Sequence, residues 1–453
     1  RRLAGELYGS DVHWQLELLQ NADDNAYEEE LEPTAEFLLR SRGGRGEVVF
    51  RCNENGFRAA DIRAICDIGN SSKVGVAKYA AGGRVMATGE KGLGFKAVFA
   101  LSDAPRIFSG PYRIEFDSAH PSGIGYVLPR WLGDQEDCTE AEELLQDGWG
   151  SALTLPLRPD LQPKQEELFG RLAELPPSLL LFLKQLREVA IVDETAVPGG
   201  TGGVRMRRAG GDALGSPAAR WSETTMRVEV ELSRAGGPWE AESWLLLRRR
   251  FEVPAGVSKP GISAPPATSL VELALPLNEE GAFDRGRGPQ PVYAFLPVRS
   301  FGLPFALQAD WAVSSSREEL LSGCAWNEFL KAQLPKLLLE LVGAARREPA
   351  ESPLRWSFYS AIPPLATAQP FFRPAVAQLH SALRTHECML TDEETFCLPR
   401  MALRCTSEVR AAFAQLHGEG EPAESSAPTA DACMVPSPLR TALRLQGLHL
   451  VHE

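Results

Sequence analysis

Three polar side chains in the stretch ELLQNADDN have the spacing of a binding site. Glu17, Asn21 and Asp24 stand at i, i+4 and i+7, so they share one stripe of a helix. Leu16 and Leu19 fall on another side of that helix and can pack it against a core. An acid, an amide and a second acid on one stripe predict that the helix holds a polar ligand.

A glycine-rich stretch, GEKGLGF, offers a second kind of chemistry. Gly89, Gly92 and Gly94 precede an apolar helical run. Glycines there let backbone N–H groups approach a phosphate closely, and the helix N-terminus adds a favourable dipole. The stretch lacks the Gly-Lys-Ser/Thr ending of a P-loop and does not follow a strand. It therefore disfavours both a P-loop and a dinucleotide-binding fold.

The first 160 residues alternate helix and strand patterns. HWQLELLQNA, RAADIRAICDIG and GFKAVFALSD predict helices, whereas GEVVFRCN, PRIFSG, YRIEFD and SALTLPLR predict strands. Helices alternating with antiparallel strands favour an α+β fold, with a two-layer α/β sandwich over residues 1–160. The Gly-, Ala- and Lys-rich segment 70–94 is weakly patterned and long, so it predicts a mobile lid.

Two further regions follow. Residues 161–345 begin with a helix leading into a strand and continue with the strand-like runs RVEVEL, SWLLLRRRFEV, LVELALPL and PVYAFLPV, which predict a mixed α/β domain. Its glycine-rich segment 199–217 predicts a disordered insertion. Residues 346–453 are punctuated by proline and contain the low-complexity stretch GEGEPAESSAPTADA, so they predict a helical, partly disordered region.

Bulk composition narrows the class of protein. The chain has 453 residues, 44% hydrophobic and 24% charged, as expected of a globular protein, and 47 basic against 60 acidic side chains give a formal charge of −13. This balance argues against nucleic acid or an anionic membrane as the main partner. The eight cysteines are scattered, and no signal peptide is visible. No apolar run approaches the roughly 20 residues of a membrane span. We therefore expect an intracellular protein, cytoplasmic or nuclear. The chain opens with RRLAGELYG and no initiator Met, so we expect it to be a piece of a longer protein.

Taken in order, three stretches resemble the Bergerat nucleotide-binding fold of the ninety-kilodalton heat-shock chaperones, type II topoisomerases, MutL and the histidine kinases. ELLQNADDN is similar to its N-box, NENGF followed by AADI to its first glycine box, and GEKGLGFKAVFALSD to its second. LQNADDNAYEEELEPTAEFLL, IRAICDIGNSSK and PVYAFLPVRSFGLPFALQADWAVSSSREELLSGCAWNEFL narrow the resemblance to the sacsin and NO VEIN branch, and the NO VEIN family is the closer match. The resemblance covers residues 1–335.

The resemblance implies roles for the polar helix. Glu17 matches the glutamate that polarises the water attacking the γ-phosphate, which suits a carboxylate in a partly closed pocket. Asn21 would coordinate Mg²⁺ through its side-chain oxygen. Asp24 would contact the nucleotide through water or a lid residue.

The resemblance also implies an adenine-reading group. The family pattern is an Asp followed by two spaced glycines, whereas this chain has NENG, which is one residue shorter and lacks the Asp. Glu54 is the expected acceptor for the adenine amino group, with Asn53 next, and Gly56 completes the box. Ser151 or Thr154 stands where the family places a hydroxyl behind the base.

Phosphate contacts are implied for the glycine-rich stretch and for the second region. Lys91 would offer a point charge to the phosphates, and Arg317 of SSSREEL could reach the γ-phosphate on domain closure. A structural pairing of Arg317 with Glu318 or Asp310 is the alternative. Backbone N–H groups of three glycines would cradle the phosphates: Gly89, Gly92 and Gly94.

These observations lead to a functional hypothesis. We expect an ATP-binding, slowly hydrolysing, chaperone-like module of a larger protein, using ATP and Mg²⁺, acting on protein partners and able to form a nucleotide-dependent dimer. The alternative is a catalytically inactive scaffold, favoured by the shortened NENG box and opposed by the Glu17–Asn21 pair. A histidine kinase is disfavoured because His13 lies inside the predicted first helix. A DNA-repair or topoisomerase role is disfavoured by the acidic balance.

Overall fold

A computed structural model describes residues 14–66, 79–80, 84–85, 94–133, 135–195, 203–209, 225–262, 266–314, 317–391, 394–403 and 433–434. Its α-helices are α1 (Trp14–Asp23), α2 (Ala59–Cys66), α3 (Gln135–Leu145), α4 (Gln165–Ala173), α5 (Ala325–Lys331), α6 (Leu334–Arg347), α7 (Leu354–Ser357) and α8 (Arg373–Leu383). Six 3₁₀ helices join them within these ranges: Gly94–Ala100, Gln146–Gly148, Gln162–Lys164, Pro177–Leu181, Phe358–Ala361 and Pro399–Met401.

The strands divide into a first half, a second half and short pairs. The first half contains β1 (Thr34–Arg42), β2 (Arg45–Cys52), β3 (Tyr79–Ala80), β4 (Arg84–Val85), β5 (Arg106–Ser109), β6 (Tyr112–Glu115), β7 (Arg130–Trp131) and β8 (Ser151–Pro156). The second half contains β9 (Glu188–Asp193), β10 (Gly203–Ala209), β11 (Thr225–Arg234), β12 (Glu240–Glu252), β13 (Thr268–Leu277), β14 (Gln290–Ala294), β15 (Leu296–Leu303) and β16 (Ala306–Ala309). The remaining short strands are β17 (Met389–Leu390), β18 (Phe396–Cys397), β19 (Ala402–Leu403) and β20 (Cys433–Met434).

One continuous, mostly antiparallel sheet runs through both halves of the chain. Its order is β15-β14-β16-β13-β12-β11-β10-β9-β1-β2-β8-β5-β6-β7. The halves join where β9 lies parallel to β1, with Thr34 opposite Glu188 and Leu39 opposite Asp193. The predicted sandwich and second domain therefore share a sheet, because the crossover through α4 returns the chain to the edge of β1.

Alternating side chains bury both faces of the first half. Phe37 and Leu39 of β1 face a core that includes Leu19 of α1, whereas Leu38 lies in a smaller cluster with Leu144 of α3. The sequence predicted two layers, and α3 adds a helix on the second face. The sequence analysis missed α3 because charged residues mask its helical pattern of apolar residues. One of them, Glu140, is buried and accepts hydrogen bonds from two arginines of the sheet.

Several predicted elements are confirmed: α1, α2, β2, β5, β6 and β8. The segment GFKAVFALSD differs from its predicted α-helix, because its helical part is a 3₁₀ helix, Gly94–Ala100. The predicted disordered insertion 199–217 is corrected at residues 203–209, which form β10. Val204 and Met206 are buried there between β9 and β11, so an alternating apolar pattern overrides the flanking glycines.

The C-terminal region packs into the core of the second half. Trp326 of α5 and Phe372, just before α8, belong to the same buried cluster as Trp311, which follows β16. Residues 346–403 combine α7 and α8 with the short pair β17–β18, so the predicted helical region is mixed in its described part. Within the described ranges, no helix has the length and apolar character needed to cross a membrane.

Candidate functional site

The polar stripe of α1 meets the second half of the chain. Arg317 donates from Nε to Oε1 of Glu17 at 2.9 Å, with side chains 27% and 17% exposed, respectively. Asn21, one turn further along α1, is half-buried. The structure therefore brings Glu17 and Arg317 together. Asp310, one of the alternative partners of Arg317, instead accepts from Lys259 at 2.7 Å.

A narrow cleft lies beside the Glu17–Arg317 pair. Leu16 lines it from α1, and the corner between β14 and β15 closes it. Its cavity volume is about 20 Å³, enough for a single water molecule. In this arrangement Glu17 contacts an arginine and a water-sized space.

Gln20, between the two ends of the stripe, is buried, and neither Oε1 nor Nε2 of its carboxamide has a partner in the described part of the chain. Leaving such a group unsatisfied costs on the order of 1–3 kcal/mol. The contact region between α1 and the second half of the chain, which we call the junction, therefore contains a buried carboxamide whose hydrogen-bonding groups have no partner in the described part of the chain.

The structure places Asp24, predicted to contact a nucleotide through water or a lid residue, in a buried ion pair. Its Oδ1 lies 2.5 Å from Nζ of Lys184, and the Asp24 side chain is fully buried. The Lys184 ammonium also lies 5.0 Å from the ring centroid of Phe295. A buried carboxylate next to a buried ammonium is stabilised by that cation, so Asp24 joins α1 to the second half of the chain.

Sequence reasoning missed Asp23. Its buried carboxylate accepts backbone N–H bonds from Lys184, Gln185 and Leu186 at 2.8, 2.7 and 3.0 Å. Three amide donors satisfy an anion well. The repeated acid in ELLQNADDN was the available signal, since one of two adjacent helix-end acids must leave the stripe of the other.

The predicted adenine-reading group is a buried pair. Ser151 at the start of β8 donates from Oγ to Oε1 of Glu54 at 2.5 Å. Cys52, at the end of β2, is hydrogen-bonded to the hydroxyl of Tyr27 at 2.9 Å, and burial raises the pKa of the Cys52 thiol to about 12. The structure brings Glu54 and Ser151 together in a buried polar pair next to the end of α1.

Asn53, the second candidate base acceptor, holds backbone groups with both ends of its carboxamide. Its Oδ1 accepts from the N–H of Thr34 at 2.7 Å, and its Nδ2 donates to the carbonyl of Glu32 at 2.8 Å. Gly56 has a φ of +86°, and a side chain there would meet Ser109. In the NENG box, Asn53 therefore holds backbone beside Glu54, and Gly56 occupies a position that requires glycine.

Thr154, the other hydroxyl predicted to lie behind the base, lies in the middle of β8. It lies opposite Val49 of β2 and Arg106 of β5, and Val49 belongs to the cluster around α3. Ser151 and Thr154 are three residues apart on one strand, so they point to opposite faces. Of the two candidates, only Ser151 reaches Glu54.

The glycine-rich stretch lies largely beyond the described residues. Gly94 begins the 3₁₀ helix Gly94–Ala100, whereas three predicted phosphate-binding residues fall outside the described ranges: Gly89, Lys91 and Gly92. Within the described residues no group of three or more His, Cys, Asp or Glu side chains could hold a metal ion.

Lys96, which sequence reasoning also missed, is a half-buried lysine of GFKAVF. Its ammonium donates to the carbonyl of Ile65 at 2.7 Å and to the carbonyl of Tyr126. It also lies 5.1 Å from the ring centroid of Phe116. Burial lowers the pKa of Lys96 from 10.5 to about 8. An isolated lysine in an apolar run was the available signal.

We expect this lysine to make stability depend on pH. Between its folded pKa of about 8 and its ordinary 10.5, the folded protein binds fewer protons than the unfolded chain, so stability rises with pH. The gain from pH 8 to 9 is about 1 kcal/mol. Urea unfolding of wild type and Lys96→Met at pH 8 and 9 measures this gain, and the variant should lose it. Equal slopes in both proteins would show that Lys96 does not titrate there.

Comparisons with known proteins agree with one part of the sequence analysis. The chain is 30% identical over 429 residues to Protein NO VEIN of Arabidopsis thaliana, an alignment that covers 90% of this chain. That identity supports the NO VEIN family. The chain spans 14% of the length of Protein NO VEIN. No protein-family model matches the chain.

Among solved structures, the chain is similar to a crystal structure of the N-terminal domain of a DNA repair protein. The identity is 11% and the TM-score is 0.36, and the match covers 73% of this chain and 93% of that chain.

Proposed function

We propose that the chain is an ATP-binding, slowly hydrolysing conformational module of a NO VEIN-type protein, with the Bergerat fold in its first half. The contact between Glu17 of α1 and Arg317 of the second half carries the proposal. An acid able to accept a proton from water and a cation able to bind a phosphate meet at one point, although 300 residues separate them. This is the pairing that a nucleotide-dependent junction requires.

The side chains at both ends of the proposed site have the chemistry that a nucleotide requires. The buried Glu54–Ser151 pair offers a carboxylate acceptor and a hydroxyl to the amino edge of a purine. Asn21 is half-buried, and the oxygen of its carboxamide suits Mg²⁺. Mg²⁺, when bound, would neutralise phosphate charge. Asn21 would hold the ion, Glu54 would orient the base, and Glu17 would take a proton from water.

Arg317 decides when Glu17 is available. While the guanidinium holds the carboxylate, Glu17 cannot accept a proton from water through that oxygen. A triphosphate carries more negative charge than one carboxylate and competes for Arg317, which frees Glu17. Binding and the position of the second half are then coupled through one side chain.

The two attachments of α1 differ in strength, which supports a conformational role. The Asp24–Lys184 pair is buried, and removing one partner of such a pair costs on the order of 3–5 kcal/mol. The Glu17–Arg317 pair is partly exposed and is worth roughly 0–1 kcal/mol. The junction can therefore open at Glu17 while Asp23 and Asp24 keep α1 attached. Such a movement suits a chaperone-like module that acts on protein partners.

A specific observation favours a second candidate, a non-hydrolysing scaffold. The cavity beside Glu17 is about 20 Å³, and the carboxylate is held by Arg317. If this closed arrangement persists with nucleotide present, the module would bind partners without turnover.

Calorimetric titration with ATP, ADP and GTP in the presence of Mg²⁺ tests the proposed binding. We expect ATP and ADP to bind and GTP not to bind, because Glu54 would accept a hydrogen bond from the 6-amino group of adenine, where guanine carries a carbonyl oxygen. Ser151→Ala should weaken ATP binding by about 5–10-fold, the value of one hydrogen bond. Thr154→Val removes a hydroxyl from the opposite face of the same strand and should leave the affinity unchanged. Equal binding of GTP and ATP would contradict the role of Glu54.

A further inference from the structure

We propose that Asn327 and Arg299 are positioning residues that aim Arg317 at Glu17, so that the helical region from α5 onward forms part of the site. The inference rests on the proposed function. It assigns a role to a part of the chain that lies far from α1 in sequence.

The backbone of Arg317 calls for such support. Its φ is +61°, in the left-handed region that side chains with a Cβ rarely adopt. A strained residue of this kind persists only where its surroundings hold it. Arg317 lies in a turn whose flanks are bridged by Val313 and Leu320, and its N–H donates to the carbonyl of Ser314 at 3.0 Å.

Asn327 of α5 braces both flanks of this turn. Its Oδ1 accepts from the N–H of Ala312 at 2.8 Å, and its Nδ2 donates to the carbonyls of Ala312 and Leu321 at 2.7 and 2.9 Å. The side chain is fully buried, so water cannot replace these bonds. One carboxamide therefore holds together the two segments that enter and leave the turn.

Arg299 of β15 braces the turn from its exposed side. It contacts both carboxylate oxygens of Glu319, each at 2.8 Å. The same guanidinium donates to the side chain of Gln369 at 2.7 Å and lies 4.0 Å from the ring centroid of Phe301. Arg299 thus connects the turn to the segment that precedes α8.

The base of the turn is also tied down. The indole N–H of Trp326 donates to the carbonyl of Asp310 at 2.7 Å, and the side chain of Asp310 accepts from Lys259. Because the base and the flanks are both held, the position of the Arg317 backbone depends on α5 and on the segment before α8. A shift of α5, or of the segment before α8, would move Arg317 relative to Glu17.

Matched variants separate positioning from general stability. Glu319→Gln removes the Arg299–Glu319 pair, whose side chains are 38% and 56% exposed. Glu387→Gln removes the Arg346–Glu387 pair, which has nearly the same exposure and length but lies away from the turn. Arg299→Gln tests the first pair from its other partner. Asn327→Asp keeps the acceptor oxygen and loses both bonds that the Asn327 amide donates. If Asn327→Asp, a change at a buried position, fails to fold, Glu319→Gln decides the proposal.

Two readouts follow these variants. In Mg-ATP turnover, Glu319→Gln and Arg299→Gln should lower kcat about tenfold, with KM changed less than about threefold, because a misplaced group weakens the chemical step more than binding. In nucleotide-free protein labelled with ¹⁵N-arginine, the Nε–H proton of Arg317 should exchange with water at least about fivefold faster in both variants, because its bond to Glu17 opens more often. Arg317→Lys identifies that signal. Glu387→Gln should change neither readout.

The outcomes are distinct. If Glu319→Gln and Arg299→Gln match Glu387→Gln in both readouts, the positioning role is overturned. If wild type has no turnover at all, the proposed hydrolysis fails, and proton exchange at Arg317 still decides whether the braces hold it against Glu17.

Discussion

Glu17→Gln should lower the rate of phosphate release from Mg-ATP by about 10²–10⁴-fold, the usual contribution of a general base. Glutamine keeps the size of the side chain and can still accept a hydrogen bond from Arg317, but it cannot take a proton from water. Binding of ATP, measured by calorimetry, should change less than about threefold, because the lost interaction acts on the chemical step. Glu29→Gln, at an exposed acid beyond α1, is the control and should behave as wild type.

The result separates the two candidate functions. Phosphate release that is unchanged in Glu17→Gln, and in Glu17→Ala, would rule out the enzymatic hypothesis and leave the scaffold. Release that falls together with ATP affinity would mean that Glu17 acts in holding the junction rather than in catalysis.

Gly150→Ala should destabilise the first half of the chain by more than about 3 kcal/mol, the upper range for an overpacked site. A Cβ on Gly150 would lie 1.6 Å from the carbonyl oxygen of Glu54, and backbone cannot move aside as a flexible side chain can. Gly150 also makes two hydrogen bonds next to the site, since its N–H donates to the carbonyl of Cys52 and its carbonyl accepts from the hydroxyl of Ser109. The variant should therefore lose the Glu54–Ser151 contact and ATP binding together. Urea unfolding followed by near-ultraviolet circular dichroism measures the change.

Gly170→Ala is the matched control for that substitution. Gly170 lies within α4, and a Cβ there would meet no atom within 4 Å. Alanine should stabilise the helix by up to about 1 kcal/mol. Unfolding midpoints that agree for the two variants would show that the close approach of residues 54 and 150 does not exist in solution.

Local patterns predicted much of the first half, since helix and strand periodicities depend on near neighbours. The stripe of α1 and the alternating residues of β2, β5, β6 and β8 were recognisable for that reason. Period-two alternation could also have separated Ser151 from Thr154, because an odd spacing on a strand reverses the face. The 3₁₀ helix at Gly94–Ala100 was harder to predict, because a short 3₁₀ turn and the start of an α-helix share one apolar pattern.

The sequence by itself determined the polar stripe on α1, the strands of the first half, and the resemblance to the NO VEIN family. Tertiary structure alone decided that Asp24 binds Lys184, that Asp23 accepts three backbone N–H groups, and that Glu17 faces Arg317. Such pairs join residues 160 or more positions apart, and which of two adjacent acids turns inward depends on what packs against the helix. Periodicity records the direction of a side chain, whereas its partner is set by the packing of distant segments.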